Sequence, residues 1–466
     1  MELLKPLVNL PSVITDIIFG YYYEPKIVHT PYGGEICALL PDGTLHRWTA
    51  ESYVVGIHGI RDVTSNGLAC AAVTWDDDII AWGDASHGGL LTVDARRVIA
   101  DARSKGASVT KVHGTSSGAF CALFSNGSVA SWGHMPGQWI HVYDLEGAID
   151  VRGNGSAFAA LMSNGKVRTW GHRYYGGNSN NVENKLHKVV KLYCTNFAFA
   201  ALRDDGTVVT WGHGSAGGST KNYSDDVIEE LYNVVQIYNS TEAFAALRRD
   251  GAVITWGGLA MGGNSSGVSK LLKDVESVCS APCGFAALRK DGSVATWGPW
   301  GAFRVDVSGV VQLCATKWAF TALTDGGRVV TWGGPPFDGT VVQTYLTGGV
   351  RSVCADSMSG ISIARRDGRT VVWQKGTDVC EYTTAGNTPF TEVVSTGRTP
   401  HRESSYAAID AQGNIVTWGG RVNEDIPQTV HGVVWPGHDC GIQRVLFDKK
   451  TSIREQFYLA FGYPAL

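Results

Sequence analysis

One short phrase recurs ten times along the 466-residue chain and leaves little freedom about its fold. It is clearest at Phe199–Gly212 (FAALRDDGTVVTWG), Phe244–Gly257 (FAALRRDGAVITWG) and Phe285–Gly298 (FAALRKDGSVATWG). Its anchor tryptophans are Trp48, Trp82, Trp132, Trp170, Trp211, Trp256, Trp297, Trp332, Trp373 and Trp418, spaced 34 to 50 residues apart. A period of about 41 residues is that of propeller blades or solenoid units, each of which buries its apolar faces only by stacking on its neighbours.

Each unit reads as β-structure. In Val189–Gly212 a β-branched run is followed by a turn, a small-residue strand (FAFAAL), an Asp-Gly pair and a second β-branched strand. Asx-Gly recurs at Asp42-Gly43, Asn126-Gly127, Asn164-Gly165, Asp205-Gly206, Asp250-Gly251, Asp291-Gly292 and Asp367-Gly368, which predicts type I′ hairpins with positive φ at both central residues. The second copy has Asp76-Asp77 instead, so a distorted or longer tip is expected there. In TVVTW, Val208 and Thr210 alternate with Val209 and Trp211, so both faces are at least half apolar and both must be covered. The expected class is all-β, a propeller of three- to four-stranded antiparallel blades, with Phe, Ala and Trp as packing residues.

Composition agrees: 58 glycines, 44% hydrophobic and 18% charged residues suit a turn-rich globular β-protein. A net charge of −4 with no dense basic run gives no general attraction for nucleic acid or an anionic membrane. No run approaches the roughly 18 apolar residues of a membrane helix, and Pro11 and Asp16 interrupt the apolar start, which does not read as a signal peptide. Ten cysteines, mostly inside strands, read as reduced packing residues of an intracellular protein, cytoplasmic or nuclear. Cys279 and Cys283 form a lone C-x-x-x-C, but Cys279, Cys314 and Cys354 share a slot with Tyr193 and Tyr238, so packing is expected rather than a metal.

The order Val-x-x-Val/Ile, Phe-x-Ala-Leu, Asp-Gly, Val-x-x-Trp-Gly and a Gly-rich loop resembles the repeat of the regulator of chromosome condensation family over about residues 27 to 420. The units are compact, similar to those of the secreted β-lactamase inhibitor propeller of that superfamily. The resemblance implies a β-propeller, with seven blades as the norm, against ten phrases here. It also implies protein partners, among them a small GTPase whose nucleotide exchange the founding member promotes. That member's basic N-terminal tail has no counterpart, since only Lys5 and Lys26 precede or open the first repeat.

Three regions follow: 1–25, a helical segment; 26–425, the repeats; and 426–466, without the phrase, with VHGVVW as a closing strand and the chain ends expected to meet. Within 1–25, Val13, Ile14, Ile17, Ile18, Tyr21 and Tyr22 form a helical stripe, with Pro11 at its first turn. Leu10, Pro11, Ile18, Phe19 and Tyr21 resemble the opening of an F-box, which implies a ubiquitin-ligase adaptor as partner; the alternative is a structural cap. Two inserts lengthen the period, DARRVIADARSKGA before Trp132 and STGRTPHRESS before Trp418, and are expected as loops that carry specificity.

No nucleophile elbow, phosphate loop, His-Glu-x-x-His or paired Cys-x-x-Cys is present, so no catalytic, cofactor or metal residues are expected. Candidate protein-binding residues are those repeated outside the packing pattern. His134, His172 and His213 each follow Trp-Gly, and Arg203, Arg248, Arg289 and Arg365 each close a small-residue strand. The arginines form either a basic arc for an acidic protein surface or local pairs with the turn aspartates. The expected function is a non-enzymatic interaction scaffold; the alternatives are a guanine-nucleotide exchange factor, a ubiquitin-ligase substrate receptor, or a structural component of a large assembly, viral or cytoskeletal.

Overall fold

The computed structural model describes residues 53–134, 145–219, 230–299 and most of 301–333, and chiefly the strands of 26–48 and 349–419. Residues 1–25 and 420–466 lie outside the described residues, and with them the F-box-like stretch and the VHGVVW strand. Among the described residues the strands form ten antiparallel sheets, each built from consecutive strands. Their first strands are Lys26–Thr30, Ile60–Ser65, Val109–Gly114, Ala148–Gly153, Val189–Cys194, Val234–Asn239, Val275–Ala281, Val310–Ala315, Val350–Ala355 and Phe390–Ser395. We number the blades 1 to 10 in this order; blades 1, 7 and 9 carry a fourth strand.

Each first strand touches the first strand of the next blade, and Phe390–Ser395 touches Lys26–Thr30. The array is therefore a closed β-propeller of ten blades, one per phrase, with the first strands nearest the axis. Blades 1 and 10 meet by packing, and no sheet among the described residues combines strands from the two ends.

Each blade is apolar on both faces. In blade 5, Val189, Leu192, Phe199, Ala201, Val209 and Trp211 pack on Ala157, Ala159 and Leu161 of blade 4. The other face of blade 5, with Tyr193, Ala198, Ala200 and Leu202, packs on Ile237, Phe244, Ala246 and Trp256 of blade 6. The alanines let middle strands approach a neighbouring sheet closely, and the aromatic pair fills the wider space outside them. Phe199 and Trp211 stack at 5.3 Å, as do Phe244 and Trp256 at 5.1 Å. The Trp211 indole also donates to the Gly176 carbonyl of blade 4, 3.0 Å, and Trp256 and Trp297 repeat the bond to Gly217 and Gly262. An aromatic of one blade is thus tied to the loop of the blade before it.

The hairpin tips differ from the two-residue turns predicted. The Gly206 N–H donates to Arg203 O and the Arg203 N–H to Thr207 O, so Asp204, Asp205 and Gly206 form a three-residue loop. Only the glycine has positive φ (+78°). This is a turn closed by a left-handed glycine, the next commonest hairpin after the primed types. Aspartate is favoured before the glycine because its carboxylate accepts the Thr207 N–H at 3.0 Å; Asn126, Asn164, Asp250 and Asp291 do the same for the residue two positions on.

Blade 2 keeps this loop without a glycine, so its tip is neither distorted nor longer. Asp77 takes the left-handed slot (φ 60°), and its N–H donates to Thr74 O. In other blades the carbonyl of the turn glycine accepts from the next inner strand, as Gly206 does from the Val234 N–H at 3.0 Å. Here the Asp77 Oδ1 accepts the Val109 N–H at 2.9 Å and also pairs with Arg61 at 2.8 Å. Asp77→Ala keeps the strained φ and removes both bonds, and is expected to cost about 2 kcal/mol. Asp77→Asn, which retains the acceptor and tolerates the left-handed region, should lose less than half of that, as urea denaturation will measure.

The first insert is a helix rather than a loop. Thr92 caps Val93–Ser104 by accepting the Ala95 N–H, and Ala95, Ile99 and Ala102 are buried against blades 2 and 3. Most of the second insert lies outside the described residues. No helix among the described residues is long and apolar enough to cross a membrane.

Candidate functional site

Every outer strand that ends in Trp-Gly hands the chain to one face of the ring. The next residue donates its N–H to the loop joining the inner and middle strands of its own blade: His134 to Gly118 O, His172 to Ser156 O and His213 to Phe197 O, at 2.8 to 3.0 Å. After His172 and His213 a 3-10 turn follows, closed by a left-handed glycine. On this face the loops of blades 3 to 7 bond head to tail: the Ser117 N–H to Gly155 O, Gly155 to Asn196, Asn196 to Thr241, and Thr241 to Pro282.

The structure splits the three histidines. His134 is exposed and lies 6.0 Å from His87, whose ring pairs with Asp84 at 3.2 Å. Hydrogen bonds from Ser86 and then His87 hold the Asp84 carboxyl down at about 2. His172 and His213 join a second cluster. The His172 ring stacks on Tyr175 at 4.3 Å, and Tyr175 lies 4.8 Å from Phe197 and 6.2 Å from His213. Tyr174 completes the cluster, 6.0 Å from His172 and 69% exposed. His87, Tyr174 and Tyr175 stand outside the repeated phrase, so no periodicity singled them out.

The arginines sit on the opposite face, at the hairpin tips. Arg203, Arg248 and Arg289 pair with Asp205, Asp250 and Asp291 at 3.4, 2.8 and 2.8 Å, and their side chains are only 19%, 11% and 19% exposed. Arg203 and Arg289 also donate to the carbonyls of His187 and Lys273, and the Arg248 guanidinium lies 4.1 Å from the Tyr232 ring. Hydroxyls of Thr207 and Ser293, foremost, lower the carboxyls of Asp205 and Asp291. These arginines fasten the hairpin, and the exposed cations beside them are Arg249 and Lys290. Arg365 ends the middle strand of blade 9, with its side chain outside the described residues, as are Leu10, Pro11, Ile18, Phe19 and Tyr21.

Cys121, Cys194 and Cys279 behave as packing groups. Burial pushes the thiols of Cys194 and Cys279 up to about 11 and that of Cys121 to about 12. Such thiols are protonated at neutral pH and are poor nucleophiles. Among the described residues no three His, Cys, Asp or Glu side chains are grouped to hold a metal.

Fold and surface together define a ten-bladed β-propeller with an aromatic and histidine patch on one face. Among solved structures the chain is similar to Prp20p from Saccharomyces cerevisiae, a structure described with its binding properties to Gsp1p and histones. The identity is 15%, over 78% of this chain and 83% of that one, and the TM-score is 0.36. It is also similar to human WBSCR16 at 14% identity, covering 74% and 86% of the two chains with a TM-score of 0.32. For Sqt1 from Saccharomyces cerevisiae the identity is 11%, the coverage 85% and 95%, and the TM-score 0.34. No family model matches the chain, and no curated protein matches it.

Proposed function

We propose that this chain is a non-enzymatic protein-interaction scaffold that engages partners through the loop face of blades 4 and 5. The observation that carries this reading is the cluster His172, Tyr174, Tyr175, Phe197 and His213. The described anchor tryptophans and the phenylalanines paired with them are used up in packing, as Trp211 at 3% and Phe199 at 0% exposure show, while Tyr174 stands in solvent. Exposed tyrosine is enriched among interface anchors, since it offers large area at small entropic cost.

Cross-linking mass spectrometry from native cells, with intact protein and a Tyr174→Ala/His213→Ala variant, tests the reading. The variant is expected to fold normally, since both side chains are exposed, and to lose a defined set of cross-linked proteins. An unchanged set would remove blades 4 and 5 as the contact surface. The repeat's resemblance makes a small GTPase the first partner to assay, by nucleotide release from Ran-like and Rab-like GTPases with the protein present and absent.

A further inference from the structure

The innermost strands of blades 3 to 6 carry groups that neither the packing nor the loop face uses. In blades 2 to 10 the pairing of inner with middle strand slips at the second residue, a β-bulge repeated in register. In blades 4, 5 and 6 the bulged residue is Ile149, Val190 and Val235, exposed by 59%, 53% and 43%. A single exposed aliphatic is ordinary, but three at one slot of consecutive blades make a strip along the wall nearest the axis. Thr110 and Glu276 occupy the slot in blades 3 and 7 and bound the strip.

Cations flank it. Lys191 holds the third slot of blade 5 and Lys188 precedes the inner strand of that blade; both are exposed. Lys191 Nζ meets the neutral Gln236 Oε1 at 3.3 Å and lies over the Tyr193 ring. The nearby acid Asp150 is engaged by Arg152 at 3.0 Å; at the hairpin tips of blades 5 and 6 the exposed acids are Asp204, Asp205 and Asp250, of which Asp205 and Asp250 pair with Arg203 and Arg248. Burial, with Lys111 and Arg152 beside it, holds the His113 imidazole at about 4, so it adds no charge near neutrality. The inner strands are also sheet edges. The Gln312 side-chain amide already reads such an edge as a peptide would, donating to Val353 O at 2.9 Å and accepting the Val353 N–H at 3.4 Å.

We propose that the axial wall of blades 3 to 6, at the mouth bounded by the hairpin tips, docks an extended segment of a partner protein that alternates acidic and aliphatic residues. The aliphatic strip calls for apolar side chains, and Lys188 and Lys191 for carboxylates. The inner-strand edges offer main-chain hydrogen bonds, the mode by which extended peptides add to sheets. Phosphate would satisfy the lysines but leave the strip uncovered, which favours a peptide over a nucleic acid.

Fluorescence polarisation of the full chain with a labelled peptide, Asp-Val-Glu-Leu repeated three times, tests the site. Binding is expected to saturate, to weaken as salt is raised, and to fall about tenfold in Lys188→Glu/Lys191→Glu. Val190→Asp should weaken it similarly, while Tyr174→Ala/His213→Ala should leave it unchanged, which separates this wall from the loop face. Thermal unfolding of each variant checks that the ring is intact. Absence of saturable binding, equal binding by folded variants, or equal binding of a Lys-Leu peptide would overturn the proposal. Displacement of the peptide by an oligothymidine of similar length would reassign the wall to nucleic acid and overturn it as well.

Discussion

Trp211→Ala is expected to destabilise the ring by about 4 kcal/mol, the range for deleting a buried aromatic that neighbours cannot replace. The indole is 3% exposed, stacks on Phe199, and packs on Ala157, Ala159 and Leu161 of the adjacent blade. Its removal opens a cavity at a blade interface and leaves the Gly176 carbonyl without its indole donor. Trp211→Phe separates the effects: it keeps much of the apolar area and loses the hydrogen bond, and should cost about half as much. Guanidinium denaturation of both variants measures the difference. Near-equal losses would mean that the bond, rather than the volume, dominates.

Gly177→Ala should cost about 3 kcal/mol for a different reason. A Cβ at that position would lie 2.3 Å from the Gly171 carbonyl oxygen and 2.4 Å from its carbon, both backbone atoms that cannot swing aside. The same approach recurs at Gly218 and Gly263, so alanine there should behave alike. Gly214→Ala is the control: its nearest neighbour would be Ser219 Cβ at 4.0 Å, and a change within about 0.5 kcal/mol is expected. Melting temperatures of the set decide the matter. If Gly177 and Gly214 proved equal, close backbone approach would not explain the glycine pair after the 3-10 turn.

Much of the blade was legible because packing imposes period. Phe199, Ala201 and Trp211 repeat at fixed spacing because each touches the same part of the preceding sheet. The blade count was left open by the sequence, because ten phrases stood against the seven-bladed norm of the resembling family; the structure has one phrase per blade. The turn type was not legible, because Asx-Gly suits both a two- and a three-residue loop, which differ by one residue in length and in the φ of the residue before glycine. Asp76-Asp77 stood out as a departure, but the role of Asp77 was not legible, because a side chain there replaces a backbone acceptor, an exchange invisible in a repeat search.

Function was less legible for the same physical reason. The arginines repeat because they fasten hairpins, so repetition singled out structural residues. Tyr174 and Tyr175 belong to one loop only, and nothing periodic marks them. The helix Val93–Ser104 shows a middle case: Ala95, Ile99 and Ala102 lie at helical spacing, but its small side chains make a faint stripe beside many charged ones.

Among the described residues blades 1 and 10 abut without exchanging a strand, and each blade is cut from one uninterrupted stretch of chain. Duplicating or deleting one repeat in frame therefore breaks no sheet and orphans no strand; it changes only the angle each wafer must subtend. Ring size in such a protein can drift by whole units during evolution, and the width of its central opening drifts with it.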